Sequence, residues 1–209
     1  AQVSIVLITQ SVRVCSERGE RLDALDQRLS AFVQYCGYIP VPIPNNLSLK
    51  VNQQNLTNSK LKVWLDKIAP SGVILSGGAD LGIYIDRDLT EKTLLAYVQR
   101  ERIPTLGICR GMQLMAIQGE SPLHKTSGHV RCEHSIIGEI NRKVNSFHKF
   151  SINSCPQNFK ILAKSLDGGI EAIQHESLPM EGWMWHPERE TLFSAQDVRR
   201  VKNLFGYKF

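Results

Sequence analysis

The chain has 209 residues, enough for one substantial hydrophobic core. Its 42% hydrophobic and 22% charged content is globular and excludes disordered, collagen-like and repeat classes. No run approaches the ~18 apolar residues of a membrane span, and residues 1–8 lack the basic flank and cleavage site of a signal peptide. A cytoplasmic protein without a membrane partner is expected.

Lys and Arg number 25 against 20 Asp and Glu, for a net charge of +5. The bases are scattered, with no dense block interleaved with aromatics, so nucleic acid is not an expected partner. A small acidic or phosphate-bearing ligand fits this balance. The five cysteines, Cys15, Cys36, Cys109, Cys132 and Cys155, are odd in number and lack a CxxC pair. They read as reduced thiols, one of them chemically special.

In chain order, residues 3–8 form a continuous apolar run of buried-strand length. Residues 21–36 place Leu22, Leu25, Leu29, Phe32 and Val33 at helical spacing, with Gly37 as a stop. Residues 38–43 predict a second strand, 58–69 a helix, 72–75 a third strand, 89–101 a helix and 104–108 a fourth strand. A further helix starts after Cys109. This alternation predicts an α/β fold with a parallel sheet and helices on both faces. The second half is punctuated by Pro and Gly. Segments 136–140, 160–165, 169–174 and 182–185 predict strands with a small antiparallel section. Residues 194–205 close the chain as a helix capped by Ser194.

The stretch Gly107-Ile108-Cys109-Arg110-Gly111-Met112-Gln113 is a strand, a Gly-x-Cys-x-Gly turn and a helix. It has the form of a nucleophile elbow with Cys in place of Ser. Side chains at Gly107 or Gly111 would collide with the neighbouring strand or helix. The helix N-terminus favours negative charge on the Cys109 sulfur. An oxyanion formed by attack on a carbonyl needs backbone donors. The N–H of Arg110 is one, and Ser76-Gly77-Gly78 supplies the other through Gly78. His186, in Trp185-His186-Pro187-Glu188, is the candidate base, with Glu188 setting its tautomer. His124, His129, Cys132 and His134 lie close together, but their spacing matches no standard zinc pattern, and no metal is assigned. Trp183 and Trp185 either wall the pocket or pack in the core.

Together, Ser76-Gly77-Gly78-Ala79-Asp80, Gly107 to Gln113 and Trp185-His186-Pro187-Glu188 resemble the three signatures of class I glutamine amidotransferases, in the same order. The resemblance implies a flavodoxin-like three-layer α/β sandwich, with residues 1–209 forming a single domain. It also implies a Cys109, His186 and Glu188 triad, Gly78 and Arg110 main-chain oxyanion donors, and Gln113 against the glutamine moiety. Arg87-Asp88-Leu89-Thr90-Glu91, Val144-Asn145-Ser146-Phe147-His148 and Gly169-Ile170-Glu171-Ala172 resemble the γ-glutamyl hydrolase group acting on γ-glutamyl-γ-aminobutyrate. Gly77 and His148 are accordingly expected beside the substrate. Compact length, Arg21 to Arg28 and Trp185 to Glu190 are most similar to the γ-glutamyl-CDP-amidate hydrolases of capsule phosphoramidate synthesis.

The resemblance implies a freestanding hydrolase of γ-glutamyl amides that works through a glutamyl thioester. Its expected partner is a small-molecule γ-glutamyl substrate, a nucleotide-linked one included, and no cofactor is expected. A glutaminase subunit serving a separate synthase, a hydrolase of another γ-glutamyl amine and a non-catalytic binding module are the alternatives. A homo-oligomer stays open.

Overall fold

The computed structural model describes residues 4–48 and 60–206. Val3 of the expected first strand and residues 58–59 of the expected helix lie outside them. The elements run β1 (Ile5–Thr9), β2 (Ser11–Cys15), β3 (Glu20–Ala24), α1 (Gln27–Tyr35), β4 (Ile39–Ile43), α2 (Lys60–Ile68), β5 (Gly72–Leu75), α3 (Ile85–Glu101), β6 (Thr105–Ile108) and α4 (Arg110–Gln118). The second half holds β7 (His124–Lys125), β8 (Val130–Gly138), β9 (Arg142–Phe147), β10 (Phe150–Ser151), β11 (Phe159–Ser165), β12 (Ile170–His175), β13 (Met180–Trp183) and α5 (Ala195–Phe205).

Among the described residues, nine strands form one sheet in the order β4-β1-β5-β6-β13-β12-β11-β8-β9. The pairings from β4 to β13 are parallel, and those from β13 to β9 are antiparallel. Strand β1 shows why its sequence is unbroken apolar. Val6 and Ile8 face one core layer with Leu29, Phe32 and Val201 of α1 and α5. Leu7 faces the other, with Leu65, Leu94 and Met112 of α2, α3 and α4. Both faces are dry, so period-two alternation disappears. The expected three-layer sandwich follows, each buried Leu, Ile or Phe contributing roughly 1.5–3 kcal/mol. No helix among the described residues is long and apolar enough to cross a membrane.

One expected element is corrected. Residues 20–24 are not the start of a helix but the second arm of the β2–β3 hairpin, paired from Ser11↔Ala24 to Cys15↔Glu20. Leu22 is half exposed there, and its helical spacing to Leu25 and Leu29 is coincidental. The helix begins at Asp26, whose side chain accepts from the Arg28 N–H at 2.9 Å as an N-cap. Helix α3 starts earlier than expected, with Asp86 and Asp88 in its first turn, where negative charge suits the helix dipole. Strand β9 falls where the sequence predicts no element.

Candidate active site

Cys109 sits between β6 and α4 with φ 50° and ψ −103°. That backbone is sparsely populated for any residue with a Cβ and costs about 1–3 kcal/mol. Cys109 N–H donates to the Trp183 carbonyl at 2.7 Å, and the Cys109 carbonyl accepts from the Gln113 N–H at 3.0 Å. The turn is therefore locked to the neighbouring strand and to the first turn of α4. Gly111 permits this closeness, since a Cβ there would lie 2.1 Å from the Leu75 carbonyl oxygen.

His186 follows β13 and leads into a 3₁₀ turn, Pro187–Arg189, with Pro at its first position. Its Nδ1 lies 2.7 Å from Glu188 Oε1, so Nδ1–H donates to the carboxylate and Nε2 is left for the thiol. Asn145 of β9 clamps the His186 backbone from both sides. Its Oδ1 accepts the His186 N–H at 2.9 Å, and its Nδ2 donates to the His186 carbonyl at 2.8 Å. The Phe147 ring meets the imidazole edge-on, with centroids 5.6 Å apart. Burial works against the imidazolium, but hydrogen bonds and charge from Cys109 and Glu188 outweigh it, and the pKa is raised to about 9.

The loop after β5 lies between two functional groups. A Cβ on Gly77 would stand 2.5 Å from His186 Cε1, so only glycine leaves the ring in place. On the other side, Arg87 Nη2 donates to the Ser76 and Gly77 carbonyls at 2.8 and 2.9 Å. Peptide units are planar, and no cis bond occurs among the described residues. With the Gly77 carbonyl turned to Arg87, the Gly78 N–H points the opposite way. Gly78 has φ 139°, a glycine conformation. Arg87 is fixed in turn by Glu91, which also takes Thr9 Oγ1–H at 2.6 Å and pairs with Arg110. Arg110 pairs with Asp88 as well. This buried Arg87–Glu91–Arg110–Asp88 network ties the glycine loop to the first turn of α4. The Arg110 N–H sits in that turn and lacks an intrahelical acceptor.

A cleft of about 250 Å³ opens beside these groups, lined by Ser11, Arg13, Asp26, Gly77, Gly78, His186, Glu188 and Arg189 among others. The β2–β3 hairpin and the start of α1 supply one wall. Arg28 of α1 donates from Nε to the Glu188 carbonyl at 2.7 Å and from Nη2 to the Glu190 carbonyl. The helix thereby braces the turn that carries the carboxylate.

The family model for class I glutamine amidotransferases matches residues 43–203. The chain belongs to the class I glutamine amidotransferase family. It is a hydrolase of an amide C–N bond. It is 37% identical over 140 residues to the gamma-glutamyl-CDP-amidate hydrolase of Campylobacter jejuni serotype O:2, covering 64% of this chain and 69% of that one. It is 27% identical over 193 residues to a glutamine-hydrolyzing GMP synthase subunit of Methanocaldococcus jannaschii, covering 87% and 93%. A crystal structure of a putative GMP synthase subunit from Thermoplasma acidophilum superposes with a TM-score of 0.70 at 18% identity, over 99% of this chain and 94% of that one. That likeness is one of fold.

In this amidotransferase-family chain the fold brings together Cys109, His186, Glu188, Gly77, Gly78 and the Arg110 N–H. Gln113 lies one turn along α4 and donates from Nε2 to the Phe150 carbonyl at 3.1 Å. His148, expected beside the substrate, lies buried. Its ring is fully enclosed and directed at Glu171 Oε1, 3.4 Å from Nε2, because its Nδ1 is held by the Phe150 carbonyl at 3.0 Å. Trp183 and Trp185 stack at 5.1 Å with no exposure and belong to the core, not to the pocket wall. All five cysteines are free, and burial pushes the Cys36 thiol up to about 12. The clamp by Asn145 and the wall built by the hairpin had no periodic or motif signal of their own. Asn145 and Arg87 stood only inside stretches of family resemblance.

Proposed function

We propose that Cys109, His186 and Glu188 form the catalytic triad of a freestanding γ-glutamyl amide hydrolase. The observation that carries this is the Glu188–His186 pair at 2.7 Å, which leaves Nε2 to face the Cys109 thiol on its strained turn. The Cys109 sulfur, as thiolate, attacks the γ-carbonyl and forms a C–S bond. The N–H groups of Gly78 and Arg110 receive the oxyanion. His186 delivers its proton to the amide nitrogen as the C–N bond breaks, leaving a γ-glutamyl thioester and a free amine. His186 then takes a proton from water, the hydroxide adds to the thioester, and the C–S bond breaks to release glutamate. Gln113 and the main chain around Phe150 border the glutamyl side, and no cofactor enters any step.

The proposed substrate is a nucleotide-linked glutamine, a γ-glutamyl-CDP-amidate, within capsule phosphoramidate synthesis. Two features support it: the 37% identity to the Campylobacter jejuni hydrolase, and Arg13 and Arg189 in the cleft, which suit a diphosphate. A second reading is a glutaminase subunit that supplies ammonia to a separate synthase. It is favoured by likeness to a GMP synthase subunit over 87% of the chain. Glutamate release from a panel of γ-glutamyl conjugates separates the two. Turnover of the nucleotide conjugate well above free glutamine supports the first. Ammonia from free glutamine appearing only when a synthase is added overturns it in favour of the second.

A further inference from the structure

Behind the catalytic wall, three histidines converge on one buried carboxylate. Glu171 of β12 has no exposure. Its Oε1 lies 3.8 Å from His129 Nδ1 and 3.4 Å from His148 Nε2, and its Oε2 lies 3.3 Å from His134 Nε2. None of these five atoms has a hydrogen-bond partner among the described residues.

The opposite ring nitrogens fix which atoms face inward. His148 Nδ1 contacts the Phe150 carbonyl at 3.0 Å, and a carbonyl only accepts. Nδ1 therefore carries a hydrogen, and in the neutral ring the Nε2 lone pair is aimed at Glu171. His129 Nε2 contacts the Asp167 carboxylate at 2.7 Å, so the hydrogen is there and the Nδ1 lone pair is turned inward. With both rings neutral, two imidazole lone pairs face a buried carboxylate, an arrangement that a bound cation satisfies. An outer carboxylate and an outer main-chain carbonyl on the far nitrogens are the usual supports of metal-bound histidines.

The geometry points to a divalent metal site formed by His129, His134, His148 and Glu171, with zinc as the fitting ion. Three imidazoles and one carboxylate are a borderline nitrogen and oxygen donor set, which suits zinc better than calcium or magnesium. An ion held tetrahedrally at about 2.0–2.1 Å has donors about 3.3–3.4 Å apart. The His134 and His148 distances, 3.3 Å to Oε2 and 3.4 Å to Oε1, match that value, and His129 at 3.8 Å lies beyond it. The donor atoms of His129, His134 and Glu171 lie within 4.8 Å of one another, and His148 approaches the same carboxylate as the fourth donor, so the side chains draw inward to close the set. Four protein donors and deep burial make a closed, structural site. The ion would pin β8 and the end of β9 onto β12. Strand β9 also carries Asn145, and the Phe150 carbonyl that holds His148 also holds Gln113. No metal pattern shows in the sequence because His148 and Glu171 stand far along the chain from His129 and His134.

The test is metal analysis of the purified chain, followed by stripping with chelator and re-addition of zinc chloride. One zinc per chain is expected, with Tm rising by about 5–10 °C when free zinc exceeds Kd a hundredfold. Glu171→Gln and, as the milder change, His134→Gln should abolish both, while Cys132→Ser on the same strand should leave both intact. A chain that retains no metal and shows no Tm response to zinc overturns the site. So does full zinc retention in both Glu171→Gln and His134→Gln. In the first case protons on the histidines supply the positive charge.

Discussion

Changing Glu188 to Gln removes one charge from the His186 pair and keeps the size of the side chain. His186 holds its proton up to about 9, against about 6.5 for a free imidazole. That difference corresponds to on the order of 3 kcal/mol, gained despite a burial cost of opposite sign. The sign follows from proton linkage. The charged imidazole stabilises the folded chain fully below about pH 6.5, and that contribution is lost as pH rises through about 9. Without the Glu188 charge, burial and Cys109 remain, and the alkaline limb of kcat/KM should move down by about one pH unit or more. Gln also presents an amide that can donate to Nδ1 and so favour the wrong tautomer. Activity at neutral pH should fall about 10²–10⁴-fold. The assay is glutamate release from a γ-glutamyl amide across pH 6–10 (a range of about four pH units, wide enough to see both limbs), with Tm as the folding control. An alkaline limb that stays near 9 with activity within about threefold of wild type would refute the pairing as the source of the raised pKa.

Cys109→Ala should abolish glutamate release, and Cys109→Gly should be equally inactive but more stable than Cys109→Ala by about 1 kcal/mol, because glycine relieves the positive φ; equal Tm values would show that the turn is unstrained. Gly77→Ala places a Cβ 2.5 Å from His186 Cε1. It should cost about 10²-fold in kcat by displacing the ring, with Tm little changed; full activity would mean the ring and loop separate freely. Glu91→Ala leaves Arg87 and Arg110 buried without their shared carboxylate. A loss of about 3–5 kcal/mol, or roughly 6–20 °C in Tm, is expected by calorimetry. A smaller loss would show that water reaches the network.

The parallel half of the fold was legible because its strands are short apolar runs separated by helices with clear periodicity. The elbow was legible because Gly107, Cys109 and Gly111 are neighbours in the chain and their steric reasons are local. The same holds for His186 and Glu188, two residues apart across a 3₁₀ turn. The hairpin was not legible. Leu22, Leu25 and Leu29 imitate a helix, and only the pairing of residues 11–15 with 20–24 decides otherwise. That pairing, together with the start of α1, builds the cleft wall.

Three local motifs thus carried the resemblance to the family, since each motif is set by backbone geometry over a few residues. Tertiary structure alone decided what holds those motifs in place. Asn145 reaches His186 across 41 positions, Arg87 reaches the glycine loop across ten, and Glu171 gathers three histidines from two other strands and their ends. Hydrogen bonds and ion pairs of this kind depend on which strands lie side by side, and no periodicity in one segment encodes its neighbour in the sheet.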